Sequence, residues 1–314
     1  MKYLEYMNKL IIEHVITTEN CVLFGQNING GSCLGGLTRN IKVTEKNKIF
    51  NSTNAENSLV GFGLGLMMND ASAVFLMKQL DFLLLGIDHL VNTYNIMRSL
   101  KDKYPQGSFT IIATVVDSGY DGPQSSFNNF YDLCAIARVD GFNINNKADA
   151  DHVFTKEFLQ PGFRIIALSQ RLSKEELNET ALPLRVLANG NIFQYSEGSD
   201  ITIVSNNFSY TIAVDLIQTL NENSIEVAHF HINNIINTDW KEVIENISKT
   251  KKIIVIDDSK SIQSSVDNLL SMLVGIEISK KIILKRQIGD DWLYPRSDIF
   301  EINKKDILNE LLHN

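Results

Sequence analysis

Apolar positions recur at helical spacing at the start of the chain. Leu4, Met7, Leu10, Ile11 and Val15 predict an amphipathic helix over 3–18. After Asn20, the run CVLFGQNI predicts a turn and a short buried strand, and a loop containing Gly30, Gly31, Gly35 and Gly36 follows. Residues 57–68 are apolar and small and predict a buried helix. VFLM (74–77) predicts a strand, and 81–100 a long helix. FTIIATVVD (109–117) is a β-branched strand running into the turn SGYDGP. Further strands are expected at 163–168, 201–205, 226–232 and 252–257. Helices are expected at 148–159, 209–222, 239–247 and 262–276. Strands alternating with helices predict an α/β fold with mainly parallel sheets flanked by helices.

The pattern breaks once. The stretch beginning RLSKEELNETALPL is polar, turn-rich and without helical period. It divides the chain into an expected first domain over 1–175, a linker over 176–197 and a second domain over 198–314. The 314 residues suit two domains, and 44% apolar with 21% charged residues excludes a disordered chain. A net charge of −8 gives no overall electrostatic case for nucleic acid. Apolar runs such as Phe82–Ile87 fall far short of the roughly 18 residues of a membrane span, so no membrane partner is expected. The N-terminus carries charges throughout its apolar pattern and has no signal-peptide core. Cys21, Cys33 and Cys134 form no C-x-x-C pair, so reduced thiols in a cytoplasmic protein are expected.

Short motifs narrow the chemistry mostly by failing. GFGLG (61–65) has Leu66 where a dinucleotide fingerprint needs its third glycine, so it is expected to be a helix whose glycines admit a close neighbour. The loop at 30–36 lacks the G-K-[ST] of a phosphate loop. His229 and His231 alternate on a strand and share a side of the sheet, but no neighbouring Cys or carboxylate completes a metal set. No G-x-S-x-G elbow supports a serine nucleophile. Glu56 opens a very apolar helix. It either complements the helix dipole or is a carboxylate in an apolar pocket, suited to proton exchange.

Taken in order, AENSLVGFGLGLMMNDASAVFLMKQLDFLLLGIDHLVN (55–92), VLFGQNI (22–28), GYDGPQSS (119–126), EGSDITIVS (197–205) and IIVIDDS (253–259) resemble the transketolase-type thiamine diphosphate enzymes. Within that superfamily the chain is most similar to β subunits of the decarboxylating component of 2-oxo acid dehydrogenases. The resemblance implies a pyrimidine-binding domain followed by a transketolase C-terminal-like domain. It implies that Glu56 hydrogen-bonds a pyrimidine ring nitrogen of thiamine diphosphate and drives its activation. It places Gln79 and Phe82 beside the pyrimidine, and Gln124, Ser125 and Gln26 on the substrate side.

The departures matter equally. Gln79 stands where the family has a stacking aromatic, no His follows Gly122-Pro123, and Gln26-Asn27 replace an acidic pair. These changes favour a specialised transferase or carboligase over a dehydrogenase passing acyl groups to lipoamide. A scaffold subunit with a decayed site is the rival reading. The family's Gly-Asp-Gly and later Asn pair, which hold the diphosphate and Mg²⁺, have no match here. GDD (289–291) lacks the last Gly, and Asp140-Gly141 lies too close to Asn145-Asn146. The resemblance therefore implies an α-type partner subunit that carries the diphosphate domain and most Mg²⁺ ligands. It also implies an α₂β₂ assembly, a small keto substrate, and a hydrophobic interface around 57–68 and 81–100.

Overall fold

The computed structural model describes residues 1–100, 107–117, 128–179, 181–236, 238–286 and 300–312. Two six-stranded sheets organise the chain. The first is wholly parallel, in the order β2-β1-β3-β4-β6-β5. Its strands are β1 (Cys21–Gly25), β2 (Asn47–Asn51), β3 (Ser72–Met77), β4 (Ser108–Val115), β5 (Asp140–Ile144) and β6 (Gly162–Ser169). The second, in the order β12-β11-β9-β10-β8-β7, is parallel across its first four strands. These are β9 (Ile201–Asn206), β10 (Val227–Ile232), β11 (Lys252–Asp257) and β12 (Lys280–Lys285). An antiparallel hairpin, β7 (Arg185–Leu187) and β8 (Ile192–Ser196), closes its edge.

Helices cover both faces of the first sheet because its strands are apolar on both sides. On one face, α1 (Tyr3–Val15) buries Tyr3, Tyr6, Met7, Leu10, Ile11 and Val15, packing with α5 (Lys147–Lys156). On the other lie α2 (Glu56–Met68) and α4 (Phe130–Ala137). That second face is lined by phenylalanines in register. Phe50 of β2 pairs Phe24 of β1, which pairs Phe75 of β3, and Phe109 of β4 pairs Phe163 of β6. The rings stack nearly parallel, with centroids 5.2 Å apart for Phe24–Phe75 and 4.8 Å for Phe109–Phe163. Such cross-strand aromatic pairs hold register as well as burying area.

The expected helix over 81–100 is broken. A 3₁₀ segment (Leu80–Gly86), a π turn (His89–Thr93) and α3 (Tyr94–Ser99) replace it. The cause is packing against α2. A Cβ on Gly86 would lie 2.7 Å from Val60 Cγ2, and one on Gly61 would lie 3.0 Å from the His89 ring. A Cβ on Gly63 would fall inside the Phe109 ring's contact distance. The GFGLG glycines therefore admit side-chain rings, not another backbone. The first helix also stops at Val15 rather than 18, because the Thr17 and Thr18 hydroxyls donate to the carbonyls of Glu13 and His14. The stretch 176–197, expected as a polar linker, holds β7 and β8 of the second sheet. Among the described residues no helix is long and apolar enough to cross a membrane.

Candidate functional site at the carboxyl edge of the first sheet

In a parallel sheet, ligands gather where the strands end, at the point where successive connections run in opposite directions. Here that point is between β1 and β3. The chain leaves β1 for β2 on one side, then returns past β1 to β3 on the other. Gly25 ends β1 with φ 151°, and a Cβ there would run into the Leu76 carbonyl of β3. Glycine is required for the two strand ends to meet this closely.

A small pocket of about 60 Å³ opens at this point. Glu56, Gln26 and Phe82 line it together, with Leu59, Met77 and Lys78. Glu56 is the first residue of α2 and half-buried, so its carboxylate sits at the positive end of that helix dipole. Phe82 is half-buried in the 3₁₀ segment and packs on the core beside it. A carboxylate, an amide and an ammonium around apolar walls suit a flat heteroaromatic ring with polar edges. Asn54 and Lys78 were not singled out from the sequence. Lys78 follows β3 directly, so the strand-end rule points to it.

Gln79 is buried and lines a neighbouring cleft of about 640 Å³ rather than the Glu56 pocket. The two hollows share Gln26 and Lys78. Gln124 and Ser125, and the GDD turn at 289–291, lie outside the described residues.

The rest of the same sheet edge is closed. The strand ends of β4, β5 and β6 meet those of β9, β10 and β11 in a polar seam. Asn143 N–H donates to the Asn233 carbonyl (3.2 Å), and Asn145 Nδ2 to the Asn207 carbonyl (3.0 Å). Asn128 Nδ2 donates to the Asp258 carbonyl (2.9 Å). Asp258 accepts from the Phe208 N–H (2.9 Å) and faces Arg171 (3.4 Å) and Arg286 (4.0 Å). Burial outweighs those two cations and lifts its carboxyl to about 6.

The paired histidines sit in this seam. His229 and His231 both hydrogen-bond Ser205 Oγ, at 2.8 and 2.9 Å. Burial keeps both neutral, pushing His229 down to about 3 and His231 well below its ordinary value. Asp149 lies 3.9 Å from His231 and accepts from the Asn145 N–H (2.9 Å) and the Tyr195 O–H (3.2 Å). Burial raises its carboxyl to about 7, so with a neutral imidazole beside it the contact is not an ion pair.

Comparison with solved structures identifies the architecture. One chain, described as a split-gene transketolase in an inactive β4 tetramer, superposes with a TM-score of 0.73. The match covers 98% of this chain and 96% of that one, at 15% sequence identity. This chain has the fold of a split transketolase β subunit. The fold carries the order expected from the sequence, a transketolase-like pyrimidine-binding half and then a C-terminal-like half. No protein-family model matches the sequence, and no curated protein matches it either.

Proposed function

We propose that this chain is the β-type subunit of a split thiamine diphosphate enzyme that cleaves or forms a C–C bond next to a carbonyl. The observation that carries the reading is the meeting of Glu56, Gln26 and Phe82 in one pocket at the sheet's switch point. The transketolase-like fold supports it. When bound, thiamine diphosphate supplies a carbanion equivalent and an electron sink. The chain's part is to hold and orient the pyrimidine. Glu56 places its carboxyl at a ring nitrogen and shares a proton there, Phe82 and Leu59 give the ring an apolar wall, and Gln26 offers hydrogen bonds toward the substrate side. Gln124 and Ser125 remain proposed substrate contacts.

The diphosphate and Mg²⁺ fall to an α-type partner in an α₂β₂ assembly, because this sequence offers no Gly-Asp-Gly and Asn pair for them. Large apolar side chains left exposed on α2 (Phe62, Met68) and on the segment packed against it (Leu84, Leu85) support such a partner. Alone, the chain is expected to lack activity, like the inactive β4 tetramer whose fold it shares. A transferase or carboligase is favoured over a lipoamide-linked dehydrogenase. That preference fails if the assembled enzyme reductively acylates a lipoyl domain. The scaffold reading has one observation in its favour: Gln79, in place of a stacking aromatic, faces away from the Glu56 pocket.

Calorimetric titration of thiamine diphosphate with Mg²⁺, into the chain alone and then into its mixture with the partner, tests the proposal. Binding is expected only in the mixture, and Glu56→Gln is expected to abolish exchange of the thiazolium C2 proton while the assembly persists. A stable complex that binds no thiamine diphosphate would establish the scaffold reading instead.

A further inference from the structure

On the α1 face of the first sheet, across the strand ends from Glu56, lies the cleft of about 640 Å³. Its volume is in the range of metabolite sites. Four cations converge on it from four separate segments: Lys2 before α1, Arg39 in the Gly-rich loop, Lys78 after β3 and Lys174 after β6. All four are exposed, and no ion pair is found for any of them among the described residues. Glu5 is the sole carboxylate among the described lining residues, and it accepts from the Lys2 backbone N–H (3.2 Å). In a chain of net charge −8 this is a local inversion of sign. A concave wall of one sign focuses potential and draws ligands of the other.

The loop that forms one wall is held in an unusual backbone. Cys33, Leu34, Gly35 and Gly36 all have positive φ, at 49°, 50°, 69° and 115°. A leucine in the left-handed region is a steric outlier, and such residues concentrate where a loop must hold a shape for a ligand. Arg39 folds back over this loop, its guanidinium carbon 3.8 Å from where a Cβ of Gly36 would stand. The fork of Arg39 is thereby aimed by the loop itself.

We propose that this cleft binds a small polyanion of the phosphate-ester class, anchored by Arg39, Lys174, Lys2 and Lys78. Arg supplies bidentate hydrogen bonds to phosphate oxygens, and the lysines supply point charges. The argument uses only this chain's geometry and does not depend on the thiamine diphosphate reading. It adds a second ligand, placed so that the two would meet at Gln26 and Lys78.

Isothermal titration of inorganic pyrophosphate into the full-length protein at low ionic strength tests it. One saturable site is expected. The double variant Arg39→Gln/Lys174→Gln should weaken binding at least tenfold, with the thermal midpoint unchanged because both side chains are exposed. Lys249→Gln, an exposed cation at the end of α7 (Lys241–Thr250), should bind as the native protein does. Glu56→Gln should also bind normally, which separates this cleft from the Glu56 pocket. Absence of saturable binding to the native protein would overturn the proposal. So would equal affinity in the double variant and in Lys249→Gln.

Discussion

The carboxyl edge of the first sheet is two regions with opposite uses of the same chemistry. Beyond β4, β5 and β6, the polar side chains are buried and answer one another across the seam, as Asn143 does with Asn233 and Asp258 with Phe208, Arg171 and Arg286. Beyond β1 and β3, Gln26 and Lys78 are exposed and face two hollows. Polar density is therefore no guide to function in this fold. What separates structure from site is whether the chain itself supplies the partners. A buried polar group must be paired or it is costly, so the seam is closed by necessity. An exposed, unpaired set at the switch point bears no such penalty and is free to receive a ligand.

The sharpest way to break this comparison is to substitute one residue in each region. Glu56→Gln should cost about 10²- to 10⁴-fold in activity of the assembled enzyme, in line with loss of a proton-transfer group, and leave the unfolding midpoint unmoved. Asp258→Ala should do the reverse. It removes the acceptor of the Phe208 N–H and leaves Arg286, buried in the seam, without the carboxylate it faces. A loss of about 3–5 kcal/mol in denaturant unfolding is expected.

Two glycines of α2 sharpen the boundary between packed and open surface. Gly63→Ala would press a methyl into the Phe109 ring and should destabilise by about 1–3 kcal/mol. Gly65 has open space where its Cβ would point. Gly65→Ala should stabilise the isolated chain by about 0.5–1 kcal/mol through helix propensity, read from its thermal midpoint. If that open face receives the partner subunit, the same variant should weaken assembly, measured by sedimentation of the mixture.

The smallest expected effect is a pH slope. Asp149 holds its proton up to about 7 when folded, against an ordinary value of 3.8. Between those values the folded state binds more protons than the unfolded chain, so the residue's contribution to stability falls as pH rises. The stability difference between native protein and Asp149→Asn should therefore shrink from pH 4 to 7, by at most about 1.4 kcal/mol per pH unit. A difference that widens over that range would show that the carboxyl is ionised in the fold.

Much of the fold was legible because buried parallel strands are uninterrupted apolar runs. β3, β4, β6, β9, β10 and β11 begin and end within about two residues of the expected positions. The strands that escaped notice lack that signature. β2 (NKIFN) is a polar edge strand, β5 (DGFNI) carries a glycine and a buried Asn143, and β7 and β8 lie in a stretch whose composition is that of a turn. The helix expected over 81–100 was misjudged because apolar period cannot register the backbone breaks that packing on α2 imposes.

Of the site, Glu56, Phe82 and Gln26 were legible through family resemblance, and the structure places them around one pocket. The seam was not legible at all. Its members come from strand ends as distant as Asn143 and Asn233, and no local pattern marks two asparagines as destined to face each other. The cationic cleft escaped for the same reason, since Lys2, Arg39, Lys78 and Lys174 are neighbours only in three dimensions.

The central claim is that the open half of the sheet edge is the working half. Hydrogen–deuterium exchange of the chain in complex with its partner, with and without thiamine diphosphate and Mg²⁺, tests it most directly. New protection is expected at 53–60 and 76–83, around Glu56 and Phe82, with the seam at 143–149 and 229–233 unchanged. Cofactor-dependent protection confined to the seam, or none around Glu56, would contradict the account.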